Sequence, residues 1–205
     1  MPSLSTLDTE LSAVNTILGS IGQAPISSLN DNTFTNPEVD FIYKLLREAN
    51  IDIQSEGWSF NKENHILMSI DENGRIPVAN NILHIDFSSE DSNRYTDAVI
   101  RNSFIYDKVN HTDVYTTDKY CDVVYLLDFT DIPQVFRRYI SYAASSKAAT
   151  QLVANPQLVQ LLATKEAHAR SICMEHECNQ GDYSYLGLGH ETNYQSYQPF
   201  HALRR

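Results

Sequence analysis

Near the end of the chain, Cys173 and His176 are spaced to share one face of a helix, with His168 earlier on it and Cys178 just beyond. Thiolate and imidazole both bind zinc, and a structural site needs four such donors. Cys178 falls on another face, and no second Cys or His pair has zinc-site spacing. The group therefore reads as a helix end with two semi-buried thiols and a solvated histidine, and no metal is expected. Paired carboxylates are the next candidates, at Asp71/Glu72, Glu90/Asp91 and Glu175/Glu177. Glycoside hydrolysis uses two acids across a sugar. In a chain with 26 acidic residues, turns and solvated surface are the expected roles for such pairs.

No other constellation for catalysis or cofactor binding is present. The chain has no Gly-x-Ser-x-Gly, P-loop, dinucleotide glycine pattern or His-Glu-x-x-His. Gly187-Leu188-Gly189 is too short for a phosphate cradle. Catalytic, metal and cofactor residues are accordingly read as none. Two basic pairs, Arg137-Arg138 and Arg204-Arg205, could hold a phosphate, although a salt bridge to another protein is the plainer expectation. Twelve tyrosines, several in an unperiodic tail, suit interface anchors with an apolar body and a polar tip; ordinary packing is the alternative for each.

The elements that must position these residues follow from hydrophobic period. The stretch Asp131 to Gly181 reads as a long helical hairpin. It opens with Thr130 or Asp131 as cap and Pro133 in the first turn. Ile132, Val135, Phe136, Tyr139, Ile140, Ala143 and Ala144 recur at helical spacing, and Ala148, Ala149, Leu152 and Val153 continue the run. Asn155-Pro156 breaks it and starts a second arm. On that arm Leu158, Leu161, Leu162, Lys165, Ala169, Ile172, Cys173 and His176 fall near one face. Each arm is about 35 Å long, so other elements must cover it.

Upstream, a first helix spans about Asp8 to Gly19, with Leu7, Leu11, Val14, Leu18 and Ile21 as its stripe. Asn36-Pro37-Glu38 starts a second helix, in which Phe41, Ile42, Leu45, Leu46, Ala49 and Ile53 face inward and Gly57 is the stop. Trp58 is an aromatic anchor. From Asn61 to Asp128 the period becomes two. Strands are expected at His65–Ile70, Ile82–Phe87, Ala98–Ile100, Phe104–Lys108, Asp113–Thr116 and Cys121–Leu127, with Asn73-Gly74 as a tight turn. The fold class is thus α+β, mainly α. Residues 1–60 and 129–181 form a four-helix core, residues 61–128 a β-rich insertion between the second and third helices, and residues 182–205 an extended arm.

Composition bounds the partners. Hydrophobic and charged shares of 42% and 20% are ordinary for a folded soluble protein. A formal net charge of -11 argues against a free-standing nucleic-acid binder, which shows a basic stripe, but not against a protein that handles DNA without gripping it. Three unpatterned cysteines suggest a reducing compartment. Neither a signal peptide nor a membrane span is expected.

Several stretches together resemble the tail tubular protein A family of short-tailed bacteriophages. They are Leu11-Ser12-Ala13-Val14-Asn15-Thr16-Ile17-Leu18-Gly19-Ser20-Ile21-Gly22-Gln23-Ala24-Pro25, Ile53-Gln54-Ser55-Glu56-Gly57-Trp58-Ser59-Phe60-Asn61, Ile132-Pro133-Gln134-Val135-Phe136-Arg137 and Ala169-Arg170-Ser171-Ile172-Cys173-Met174-Glu175-His176-Glu177. Agreement is weakest within 71–102 and after Tyr185. The resemblance implies a virion head-to-tail adaptor: a dodecameric ring beneath the portal protein, with a nozzle like tail tubular protein B below it. Double-stranded DNA would pass through its channel without specific binding during ejection. Assembly in the host cytoplasm, no membrane contact, no cofactor and no inherited catalytic residue are further implications.

A ring of identical subunits closes through a heterologous interface. The expected contact residues are Arg137, Arg138, Tyr183, Tyr185, Tyr194, Tyr197 and Phe200, together with the exposed side of the hairpin. Part of the excess acid is expected to face the channel, because each phosphate neutralised by Lys or Arg would add friction. A virion-borne cell-wall glycan hydrolase and a soluble regulatory helical domain are the alternatives from other classes.

Overall fold

The computed structural model describes residues 9–29, 36–88 and 96–181. The arm expected at 182–205 lies outside them. Contacts divide the chain into two units, Met1–Glu56 with Leu127–Asn179, and a second containing Gly57–Leu126.

In the first unit, α1 (Glu10–Ser20), α2 (Pro37–Gln54) and α3 (Gln134–Ala148) pack pairwise. The α1 cap is Thr9, whose hydroxyl accepts from Ser12 N at 3.3 Å, so the helix starts later than expected. Val14 and Leu18 of the expected stripe are buried, with Ala13 and Ile17 beside them, while Leu11 and Ile21 are half-buried and Leu7 lies outside the described residues. The chain turns off α1 through Gly22 (φ +80°), and Gln23 N donates to Leu18 O at 2.9 Å, a bond that closes a left-handed helix cap. In α2, Asn36 caps Glu38 N at 3.0 Å with Pro37 in the first turn, as expected. Val39, Ile42, Tyr43, Leu45, Leu46, Ala49 and Ile53 are buried, while Lys44, Arg47 and Glu48 are exposed. At the C-terminal end of α2, the buried Gln54 amide brackets the backbone of one residue, Leu127. Its Nε2 donates to Leu127 O and Asn50 Oδ1, each at 3.0 Å, and its Oε1 accepts from Leu127 N at 2.8 Å.

The start of α3 corrects the expectation. Pro133 occupies the cap position with ψ 142° and no side-chain cap bond, and the helix begins at Gln134. Asp131 N instead donates to Asp128 O at 2.9 Å, so Thr130 and Asp131 belong to a turn. Proline disfavours helical geometry in the residue before it, which moves the boundary past Ile132.

After α3 the helix widens into a π segment, Ala149–Val153. It ends at Ala154 in the left-handed region, φ 51° and ψ 31°, with Ala154 N bonded to Ala149 O at 3.0 Å. Asn155 then caps α4 (Pro156–Gly181), accepting from Gln157 N at 3.0 Å. An L residue held in that conformation costs about 1–2 kcal/mol that glycine avoids. Ala154→Gly is therefore expected to stabilise the chain by about 0.5–1 kcal/mol once the entropy of the unfolded glycine is deducted. Guanidinium denaturation checks this, and a loss of stability would show that the elbow has no strain to release.

The second unit contains an antiparallel sheet in the order β1 (Lys62–Met68), β5 (Lys119–Tyr125), β2 (Ile82–Phe87), and a hairpin of β3 (Ala98–Arg101) with β4 (Phe104–Asp107). Ile76, Val78, Ile85, Phe87, Ala98, Ile105, Cys121 and Val123 form its core. Trp58 is buried, and Asn61 holds the unit's ends together: its Nδ2 donates to Tyr125 O at 2.8 Å and its Oδ1 accepts from Trp58 N at 2.9 Å. The turn between β3 and β4 is Asn102-Ser103, both with positive φ (51° and 64°), the mirror-image turn that matches strand twist. At the Asn73-Gly74 turn, Gly74 has φ +75° and a Cβ there would lie 3.0 Å from Tyr115 O. Only glycine suits that approach.

The strand expected at Asp113–Thr116 is absent from the described ladders. Tyr115 N bonds to Gly74 O at 2.7 Å, so this segment is tied to a turn instead of a neighbouring strand. Thr112 makes only an isolated bridge to Asp107.

Candidate functional site

The structure places the sequence candidates unevenly. Tyr183, Tyr185, Tyr194, Tyr197 and Phe200, with Arg204-Arg205 and Glu90/Asp91, lie outside the described residues. Cys173 is buried, with its Sγ 3.6 Å from Val135 O, and burial pushes the thiol up to about 12. Cys178 is exposed, and the His176 ring meets Phe136 edge-on at 5.8 Å. Among the described residues no group of three His, Cys, Asp or Glu side chains could hold a metal ion. Asp71 works inside its turn, accepting from Asn73 N and Arg75 N at 2.8 Å each. The Arg75 amide, foremost among these bonds, holds the Asp71 carboxyl below its ordinary value.

Three contacts dock α4 antiparallel along α3: Cys173 on Val135, His176 on Phe136, and an arginine fork. Arg170 donates to both carboxylate oxygens of Glu56 at 2.8 Å and to Tyr139 Oη at 2.7 Å. A planar guanidinium suits this bidentate grip. The grip raises the Arg170 pKa, first through Glu56 and then through Tyr139. Of the apolar residues expected on the inner face of α4, Leu162, Ala169 and Cys173 are buried, but Leu161 is 55% and Ile172 41% exposed. Leu161 and Ile172 sit eleven residues apart, about three turns, and so share one side of the helix. With Met174 on α4 and Leu152 and Val153 at the elbow, they leave several large apolar side chains exposed within this unit. Scattered exposed apolar residues are normal; a helix side that repeats them is a candidate contact.

Arg137 and Arg138 are the described members of the expected contact set. Arg137 is only 7% exposed, whereas Arg138 is exposed. Both line one cavity of about 190 Å³ in the first unit. The α1 residues Ser12, Ala13 and Thr16 lie on one side, and Phe129, Ser141 and Tyr142 complete the wall. Sequence reading found the arginine pair but not its setting. The available signals were the i, i+4 spacings of Ser12 with Thr16 and of Arg137 with Ser141, which put polar groups on the sides of α1 and α3 that meet. Phe129 also lines a second hollow, beside Glu10 and Asp128.

No described helix is long and apolar enough to cross a membrane. The family model described as tail tubular protein matches residues 11–183. No curated protein matches the chain.

Proposed function

The chain belongs to the tail tubular protein family, a family of structural proteins of the phage tail, and from that premise we propose that it is the head-to-tail adaptor of a short-tailed phage. In this reading identical copies form a dodecameric ring beneath the portal, carry the tail nozzle below and surround the path of the ejected DNA. The observation that carries it is the family match, which runs from α1 through the whole of α4. The exposed apolar side of α4 supports it, since a ring subunit must present surface that a neighbour covers. The aromatic residues Tyr183, Tyr185, Tyr194, Tyr197 and Phe200 are proposed as further contacts. With 26 acids against 15 basic side chains, acidic residues on the channel wall would keep DNA sliding, because fewer phosphates would be neutralised. No catalytic step, metal or cofactor is proposed.

Mixing the purified chain with portal complexes and imaging the product tests the reading. A ring of twelve added subunits is the expected image. A chain that stays monomeric beside portal rings, by sizing and by imaging, overturns it.

A further inference from the structure

We infer that α4 is exchanged between copies: in the ring it swings about the elbow at Ala154 and docks on α2 and α3 of a second copy, through the contacts that hold it to its own. The inference rests on the ring reading above and gives the joint between copies a chemistry. The elbow is where the backbone is strained. The π segment Ala149–Val153 ends at Ala154 with φ 51° and ψ 31°, a left-handed geometry unfavourable to an L residue, and π segments recur at functional sites. Every residue from Thr150 to Gln157 is exposed, so the bend lies on the surface. Pro156 disfavours helical backbone at Asn155, which keeps α3 and α4 separate arms when the bend opens. A short hinge under strain invites exchange of the element beyond it.

The seat of α4 is small and made of groups that a second copy supplies equally well. Of the 26 residues of the helix, Leu162, Ala169 and Cys173 are the buried apolar ones. The fork of Arg170 on Glu56 joins side chains that are 46% and 37% exposed, so it opens and re-forms in contact with water. Exchange keeps the fork, the Cys173 contact with Val135 and the His176 contact with Phe136, and it releases the strain at Ala154. A helix with apolar residues on two sides also suits a place between two bodies. Leu162, Ala169 and Cys173 would face the receiving α3, and Leu161 and Ile172 the copy beside it. Exchange passed from each copy to the next is head-to-tail, the heterologous arrangement that closes into a ring.

The test uses the full chain with portal complexes and two variants, Glu56→Arg and Arg170→Glu. Each alone sets like charges at the fork and should add to the portal about three- to tenfold more weakly than the wild type. An equimolar mixture should recover most of that loss. In a dodecameric ring of alternating copies, every Glu56 meets a neighbour's Arg170 and every introduced arginine an introduced glutamate. Neither variant can mend its fork within one chain, so a mixture no better than its components overturns the exchange. The double variant Glu56→Arg/Arg170→Glu restores the fork in either arrangement and controls for folding. A benzophenone-bearing residue at position 135, beside Cys173, gives the second measurement. Its adducts with α4 should stay within one chain before the portal is added and join two chains afterwards. Adducts that stay within one chain in assembled rings overturn the exchange, whatever the variants do, while the ring reading stands. If the wild type itself adds no subunits, both fall together.

Discussion

Gln54→Leu is expected to lower the unfolding free energy by about 2–4 kcal/mol, although the replacement is apolar and of similar size. The glutamine is fully buried and its amide satisfies both the N–H and the C=O of Leu127. These residues lie 73 positions apart, so the bonds close the long excursion between α2 and the return of the chain. Leucine would fill the volume and leave both Leu127 groups facing hydrocarbon. Each buried polar group left unsatisfied costs about 1–3 kcal/mol, and the half-buried position of Leu127 lets water recover part of that. Gln54→Glu separates the two halves of the effect. It keeps an acceptor for Leu127 N but sets carboxylate oxygen against Leu127 O and Asn50 Oδ1. Both variants should therefore melt roughly 5–15 °C lower. A shift within a degree for Gln54→Leu would mean that the bracket contributes nothing.

Asp107 should control the second unit in the same way, with a pH signature. Its carboxylate is 2% exposed and accepts from Asn110 Nδ2 at 2.7 Å, Val109 N at 2.9 Å, and Asp97 N and Asn110 N at 3.3 Å. Burial pushes the carboxyl upward, but these donors, the Asn110 side chain first, outweigh it and hold the group below its ordinary value. A carboxyl depressed in the folded state contributes its full stability above the unfolded value of about 3.9 and loses it as pH falls through the folded value. Asp107→Ala is expected to cost about 2–4 kcal/mol at neutral pH, because four donors lose one acceptor. The gap between wild type and variant should narrow on acidification below about pH 4. Denaturation at pH 7 and pH 3 measures it, and a gap that is constant or widens in acid would rule out the charge as the cause.

Much of the fold was legible because it is written locally. The cap and stripe of α2 follow from Asn36-Pro37 and the 3.6 period, and β2 keeps the expected bounds from Ile82 to Phe87. The mainly helical chain with an antiparallel sheet between α2 and α3 is visible in the change of period. What was illegible is non-local. Nothing near Lys119 says that β5 lies between β1 and β2. Asn102-Ser103 turns the β3–β4 hairpin without the glycine that usually marks such a turn. The Asp113–Thr116 segment alternates like a strand but spends its backbone on Gly74. The candidate site shows the same division. Arg137-Arg138 is conspicuous as a dipeptide, yet its partners Ser12 and Thr16 come from α1, more than a hundred residues earlier, where they look like ordinary polar positions.

The central place of β5 has a consequence for biosynthesis. The last strand of the sheet to leave the ribosome is the one both others require, so Lys62–Met68 and Ile82–Phe87 have no ladder until Lys119–Tyr125 emerges. At about 5–20 residues per second, the interval between the first strand and the last is several seconds. A nascent chain cut short before Lys119 lacks the strand that both others pair with and lacks α3 as well, which leaves the backbone N–H and C=O groups of Lys62–Met68 and Ile82–Phe87 open to pairing with other chains.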